Sequence, residues 1–216
     1  MSGLRDRLRL IVVTDPDCGA GRTVVDVVRA ALRGGAPAIQ LRMKDAPARE
    51  MTELARALLA ETRAAGALLF VNDRVDVAVA AGADGAHVGQ DDLSVTAARA
   101  LAPPGFLIGV SAETAVLACA AEAAGADYAG VGPVYATGSK ADAGDAVGVE
   151  RIAEVVAAVR IPVVGIGGIT IDNAPPVIHA GAAGVAVISA VMRAPDPEAA
   201  VRALLASSAS SRPQSS

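Results

Sequence analysis

The chain has 216 residues, enough for one sizeable core and too few for two ordinary domains. Hydrophobic residues make up 53% and aromatic ones 2%, with no Trp, and the net charge is −4; the core must be built from Ala, Val, Leu and Ile, and nucleic-acid binding is excluded for want of a basic stripe. A membrane span needs roughly 18 charge-free apolar residues, which no stretch approaches; Cys18 and Cys119 lack metal or redox spacing, and the apolar run 10–13 is too short for a signal segment, so the expected location is the cytoplasm.

Along the chain a short β-branched apolar run, a turn and an Ala/Arg/Glu-rich amphipathic segment alternate. The first strand is predicted over 8–13 and is cut off by Thr14-Asp15-Pro16. A second, 38–41, runs on into Arg42-Met43-Lys44. Strand alternation from Gln40 to Lys44 places three polar side chains on one side, where a buried strand should carry apolar ones. An amide, a guanidinium and an ammonium together suit a polyanion such as pyrophosphate. Ordinary solvated charges at a strand end give the same pattern. Residues 47–65 form the clearest helix, with Met51, Leu54, Leu58 and Leu59 on one face and Glu50, Arg56 and Arg63 off it.

Predicted strand 68–71 leads into Asn72-Asp73, and strand 85–88 into Gln90-Asp91-Asp92. Carboxylates after two adjacent strands, facing basic groups, make a Mg²⁺ site that phosphate oxygens complete. The alternative has Asp73 as N-cap of a 75–81 helix and Asp91 or Asp92 as helix-start residues. Ser94 is the expected N-cap of a helix over 95–101. His87, within a strand, reads as a hydrogen-bonded core residue ahead of a catalyst, and His179 as a partner of a helix C-terminus. No Ser-His-Asp or Cys-His arrangement is visible.

Strand 106–110 leads to Ser111, and strand 128–131 to a long loop, 132–148, without hydrophobic pattern. Such loops are usually functional, and Thr137, Ser139 and Lys140 can all donate to phosphate oxygens; the small residues around them suit a lid. Strand 162–166 ends in Gly165-Ile166-Gly167-Gly168, and strand 185–188 in Ile188-Ser189. Glycines there let backbone N–H groups approach an anion. A dinucleotide fingerprint is excluded by Thr170 where its last glycine would fall, and Gly138-Ser139-Lys140 lacks the Walker A spacing. Pro197 opens a last helix over 198–205. The Ser-rich end beyond Ala206 reads as a disordered tail, which sets a domain over 1–206 and a tail over 207–216.

Eight strands with eight following helices predict a single α/β domain, a (β/α)₈ TIM barrel, over an open doubly wound sheet of unusual width. Gly-Ala pairs at 35–36, 66–67, 82–83, 125–126 and 181–182 mark where helices stop in a left-handed turn. Of the 19 Lys and Arg residues only Lys44 and Lys140 are Lys, and both follow strands. Gln40, Asn72, Gln90, Ser111, Ser139 and Ser189 also lie at or after strand ends, the face on which such barrels build active sites.

The motifs IVVTD (11–15), QLRMK (40–44), VNDRVDVA (71–78), ADGAHVGQDD (83–92), GVSAET (109–114), GADYAGVGPVYATGSK (125–140), VGIGGIT (164–170) and AGAAGVAVISA (180–190) together resemble the thiamine-phosphate synthase (thiamine phosphate pyrophosphorylase) family. Each motif is weak alone; eight in order at barrel spacing are specific. The resemblance implies an Mg²⁺-dependent transferase joining a hydroxymethylpyrimidine diphosphate to a thiazole phosphate, with pyrophosphate released through a pyrimidine-stabilised cation. It implies that Gln40, Leu41, Arg42, Met43, Lys44, Asn72, Ser111 and Lys140 hold the pyrimidine diphosphate. Thr137, Gly138, Ser139, Gly168, Ile188 and Ser189 would hold the thiazole phosphate, and Asp73 and Asp92 the Mg²⁺. Arg42, Lys44, Ser111 and Lys140 would carry the catalysis. The expected partners are small molecules, with no membrane or nucleic acid; a homo-oligomer is compatible with the sequence. Two departures stand out. Ser139 replaces a Thr of the loop motif and keeps the hydroxyl, while Glu113 stands where the family, and the related thiazole tautomerases, carry His. Tautomerase chemistry, or a non-catalytic barrel that carries thiamine intermediates, are the alternative functions.

Overall fold

The computed structural model describes residues 3–19, 21–138 and 144–209. Eight strands, β1 (Leu10–Val13), β2 (Ala38–Leu41), β3 (Leu68–Asn72), β4 (Gly85–Val88), β5 (Leu107–Ser111), β6 (Tyr128–Val131), β7 (Val163–Ile166) and β8 (Gly184–Val187), pair in sequence order, all parallel, and β8 closes on β1. This is the expected (β/α)₈ barrel, and each strand lies within two residues of its predicted bounds.

Parallel strands need crossovers, and helices supply them. These are α2 (Val24–Arg33), α3 (Ala48–Ala65), α4 (Val75–Ala81), α5 (Val95–Leu101), α6 (Ala115–Ala123), α7 (Gly148–Ala158), α8 (Ala174–His179) and α10 (Pro197–Ala209). Two one-turn helices, α1 (Leu4–Arg7) and α9 (Ser189–Met192), are additional; a single turn leaves no periodicity to read in a sequence. No described helix is long and apolar enough to cross a membrane.

Local chemistry explains the helix ends. Thr23 and Asp26 form a reciprocal capping box at the start of α2, and Ser94 accepts the Ala97 N–H as the N-cap of α5. All five Gly-Ala pairs sit at helix C-termini with the glycine at φ between 68° and 97°. In four of them the alanine N–H returns to the carbonyl five residues back, as from Ala126 to Ala121 at 3.0 Å. Two pairs continue into an aspartate that grips the preceding strand at two points. Asp84 accepts the Leu69 N–H at 2.8 Å and donates its own N–H to the Leu69 carbonyl at 3.0 Å. Asp127 does the same to Ile108, at 2.7 and 2.8 Å.

In α3 the buried stripe is Met51, Ala55, Leu58, Leu59 and Thr62, with Leu54 at its edge. Burying a leucine such as Leu58 contributes about 1.5–3 kcal/mol. The end of the chain departs from expectation. Helix α10 continues through Ser207 and Ser208 to Ala209, where a tail was expected from 207. Its serines dock onto the body, Ser207 donating to the Ile171 carbonyl at 2.9 Å, so tertiary contact overrides a polar composition. Residues 210–216 lie outside the described ones.

Inside the barrel, three rings fill the space that three glycines leave. A Cβ at Gly85 would lie 2.8 Å from the Phe70 ring, one at Gly109 would overlap Tyr128, and one at Gly130 would lie 3.0 Å from His87 Cε1. Phe70 and Tyr128 meet edge to face at 5.4 Å. The chain holds only two Tyr and two Phe, so half of its aromatic residues sit at the centre of the barrel.

Candidate active site

A cleft of about 780 Å³ opens at the C-terminal ends of the strands, between the loops after β4, β5, β6, β7 and β8. Of the residues expected at a site, Ser111, Thr137, Gly138, Gly168, Ile188 and Ser189 line it. Gln90, Asp91, Glu113 and Arg193 line it too. Gln40, Leu41, Arg42, Met43, Lys44, Asn72, Asp73 and Asp92 belong to the same end of the barrel, at or after β2, β3 and β4, but not to the walls of this cleft. Ser139 and Lys140 lie outside the described residues.

The segment from Gln40 to Lys44 is not one strand. β2 ends at Leu41, because the Thr14 hydroxyl accepts the Arg42 N–H at 2.9 Å in place of a ladder carbonyl. Gln40 faces inward and is buried, Leu41 is fully buried, and Arg42 and Lys44 follow as loop residues before Asp45, at φ 59°. Leu41 can therefore offer a ligand only its backbone.

Asp73 is not the N-cap of α4: that place belongs to Arg74, and Asp73 precedes it at φ 65° with its N–H on the His87 carbonyl at 2.7 Å. Asp92 is exposed, and its Oδ2 accepts the Gly89 N–H at 2.7 Å. Among the described residues no three His, Cys, Asp or Glu side chains gather as a metal cage. Two exposed carboxylates after neighbouring strands do fit an Mg²⁺ ion, which keeps most of its waters and takes one or two protein carboxylates plus phosphate oxygens.

A polar chain crosses the barrel below the cleft. The Gln40 side chain lies beside the Tyr128 hydroxyl, which is 3.0 Å from His87 Nδ1; His87 Nε2 lies 3.1 Å from Ser111 Oγ. Burial holds the Tyr128 phenol well above its ordinary pKa, so it stays protonated. His87 is thus hydrogen-bonded inside the barrel, as expected, and it also reaches a residue of the cleft. The Gln90 side chain donates to the Ser111 carbonyl.

The loop after β6 is built on the loop after β7. Val134 N–H bonds the Ile166 carbonyl at 2.8 Å and Tyr135 N–H the Gly167 carbonyl at 3.1 Å, extending the β6–β7 ladder upward. Glycine is required where they meet: at Gly168, with φ 63°, a Cβ would lie 2.6 Å from the Ala136 carbonyl oxygen. The far end of the loop returns to its start, Val147 N–H to the Pro133 carbonyl at 2.8 Å and Gly148 N–H to the Val134 carbonyl at 3.1 Å. Asn173 braces the glycine turn by donating to the Gly168 carbonyl and accepting the Thr170 N–H, and the Tyr135 hydroxyl bonds the Asn173 carbonyl at 2.9 Å. Across the seam of the barrel, Arg22 donates to the Cys18, Met192 and Ala194 carbonyls, and Arg193 pairs with Asp17 at 3.0 Å. Sequence reasoning assigned no site role to Tyr135, Arg22 or Arg193. Asn173 is one of only two Asn in the chain, a rarity that could have drawn attention to it.

Residues 10–191 match the family described as thiamine monophosphate synthase. The chain belongs to this family. Its matched span starts with β1 and ends in α9, so all eight strands and every site residue named above except Arg193 fall within it. Relatives from the thiamine monophosphate synthase family agree over nearly full length. The thiamine-phosphate synthase of Roseiflexus castenholzii is 55% identical over 89% of this chain and 85% of its own. That of Moorella thermoacetica is 55% identical over 90% and 93%. The solved structure of thiamine phosphate pyrophosphorylase from Pyrococcus furiosus superposes with a TM-score of 0.88 at 44% identity, covering 97% of this chain and 99% of that one.

Proposed function

We propose that the chain catalyses thiamine phosphate synthesis, joining 4-amino-2-methyl-5-hydroxymethylpyrimidine diphosphate to 4-methyl-5-(2-phosphoethyl)thiazole with release of pyrophosphate. One observation carries this reading: the span that is 55% identical to thiamine-phosphate synthases holds a cleft at the strand ends with amide, hydroxyl and cationic groups around it.

Gln40, Arg42, Lys44, Asn72, Ser111 and Lys140 take the pyrimidine diphosphate, with the Leu41 and Met43 backbone beside them. Thr137, Gly138, Ser139, Gly168, Ile188 and Ser189 take the thiazole phosphate, between the loops after β6, β7 and β8. The loops after β7 and β8, with a short extra helix, are the common phosphate position in this fold. Asp73 and Asp92 hold Mg²⁺, which when bound neutralises charge on the diphosphate. The C–O bond breaks first and its electron pair leaves with pyrophosphate; the thiazole nitrogen then donates its lone pair to the pyrimidine cation. Arg42, Lys44 and Lys140 stabilise the charge that grows on the leaving group, and they do so more in the transition state than in the ground state. No side chain has to act as nucleophile. Ile166, Ile169 and Ile188 give the cleft apolar walls that limit water near the cation.

The test is pyrophosphate release by the purified protein given both substrates, with and without Mg²⁺. Release that needs all three, with thiamine phosphate formed in equal amount, is expected. Binding of thiazole phosphate without any release would replace this reading with a tautomerase or a carrier.

A further inference from the structure

The hydrogen-bonded chain Tyr128–His87–Ser111 joins β6, β4 and β5 across the barrel interior, with Gln40 of β2 beside the Tyr128 hydroxyl. Two of its members, Tyr128 and His87, have no part in the mechanism above. Their placement is costly to build. Tyr128 is 1% exposed, packed edge-on to Phe70, and fills the space in front of Gly109. His87 lies against it with ring centroids 5.4 Å apart, and a Cβ at position 130 would come within 3.0 Å of its Cε1. With a neutral imidazole, these buried polar groups must pass hydrogens in one consistent direction, since each needs a partner.

Two directions are possible. In one, the Tyr128 hydroxyl donates to His87 Nδ1, the imidazole carries its proton on Nε2, and Nε2–H donates to Ser111 Oγ. In the other every bond is reversed, and the Ser111 hydrogen is spent on His87 Nε2. A diphosphate offers only acceptors, so Ser111 can bind it only when its own hydrogen is free to point into the cleft. We propose that His87 is a positioning residue that, locked by Tyr128 as the Nε2–H tautomer, donates to Ser111 Oγ and so turns the serine hydroxyl toward an acceptor on the pyrimidine diphosphate. This inference rests on the substrate assignment made above. A tautomer set by the partner of the other ring nitrogen is how histidine orientation is ordinarily controlled.

The chain has only two His, so the ¹⁵N spectrum of imidazole-labelled protein is readily assigned, with His179→Gln identifying the second ring. Nitrogen shifts should show His87 Nδ1 bare and Nε2 protonated in the protein without substrate, with the preference lost in Tyr128→Phe. A proton on Nδ1, or on both nitrogens, would overturn the proposal. Kinetics give an independent reading. His87→Leu should lower kcat by about 10- to 100-fold, the range of a lost hydrogen bond to a charged group, with a smaller change in KM. His87→Gln, which can present an N–H near the same place, should restore most of it. In a Ser111→Ala background, His87→Leu should cost nothing further; an equal loss there would mean the ring is only structural. The ¹⁵N measurement needs no turnover. Failure of wild-type protein to release pyrophosphate with an Nε2–H ring would therefore count against the activity and leave the lock standing, whereas an active protein with the opposite tautomer would remove the lock alone.

Discussion

Asp92 shows how much one residue's neighbours change what its substitution should do. Its carboxylate has two tasks, accepting the Gly89 N–H at 2.7 Å and, in the proposed reaction, binding Mg²⁺. Removing the side chain would confound them, because a lost hydrogen bond costs about 1 kcal/mol by itself. Asp92→Asn keeps an acceptor for Gly89 and removes the charge. Turnover should fall at least about 100-fold at low Mg²⁺, while the melting temperature stays within about 2 °C. Full activity in this variant would remove Asp92 from the metal site. Those of the amide and hydroxyl residues gathered from the sequence that are among the described residues, Gln40, Asn72, Gln90, Ser111 and Ser189, do lie on one face, since rarity in an Ala/Val-rich chain is a local signal. Tyr128 sends no such signal. In a strand it is an ordinary β-former, and its hydroxyl acquires meaning only from His87 and Gln40.

Among the elements, the turns were the most legible parts. A Gly-Ala pair after an amphipathic run states where a helix stops, because only glycine takes the left-handed conformation without strain. The aspartates that follow at 84 and 127 were not legible as strand clamps, since each acts on a strand one unit earlier in the chain. Their role makes a prediction. Asp127→Ala leaves the Ile108 N–H of a fully buried residue without its acceptor and removes the carboxylate that Arg99 bonds at 2.6 Å, leaving Arg99 its bonds to the Phe106 and Gly125 carbonyls. Equilibrium unfolding in urea should show a loss of about 1–3 kcal/mol, with KM for both substrates unchanged because Asp127 lies at the opposite end of β6 from the cleft. A change below about 0.5 kcal/mol, the level of ordinary surface substitutions, would reduce the clamp to a surface ion pair. Strand alternation, by contrast, misled over Arg42 to Lys44. Polar residues can continue a period of two, but Thr14 takes the N–H that a further ladder bond would need.

For the whole molecule, the closed ring of eight parallel pairs separates stability from chemistry. The core is apolar and backbone-paired, and the carboxylates proposed for Mg²⁺ are exposed at its rim. Chelation with EDTA should therefore stop turnover and move the melting temperature by less than about 2 °C; a fall of about 10 °C would make the metal part of the fold. The same arrangement lets the loops after β6 and β7 be rebuilt without touching the barrel. Their contacts run to each other, through Val134, Tyr135, Gly168 and Asn173.

The sequence by itself determined the eight strand–helix units, the glycine turns that end five helices, the face that carries the polar residues and, through eight ordered motifs, the family. These follow from signals a few residues long: hydrophobic period, turn chemistry and residue spacing. Only the tertiary structure decided which residues meet across the barrel. Closure of β8 on β1 and the stagger of the strands bring Gln40, His87, Ser111 and Tyr128 together, though they span about two-fifths of the chain. Glycines 85, 109 and 130 acquire their meaning only when the rings opposite them are known. No local pattern can carry that information, because the distance between two inward side chains depends on register and curvature summed over several strands.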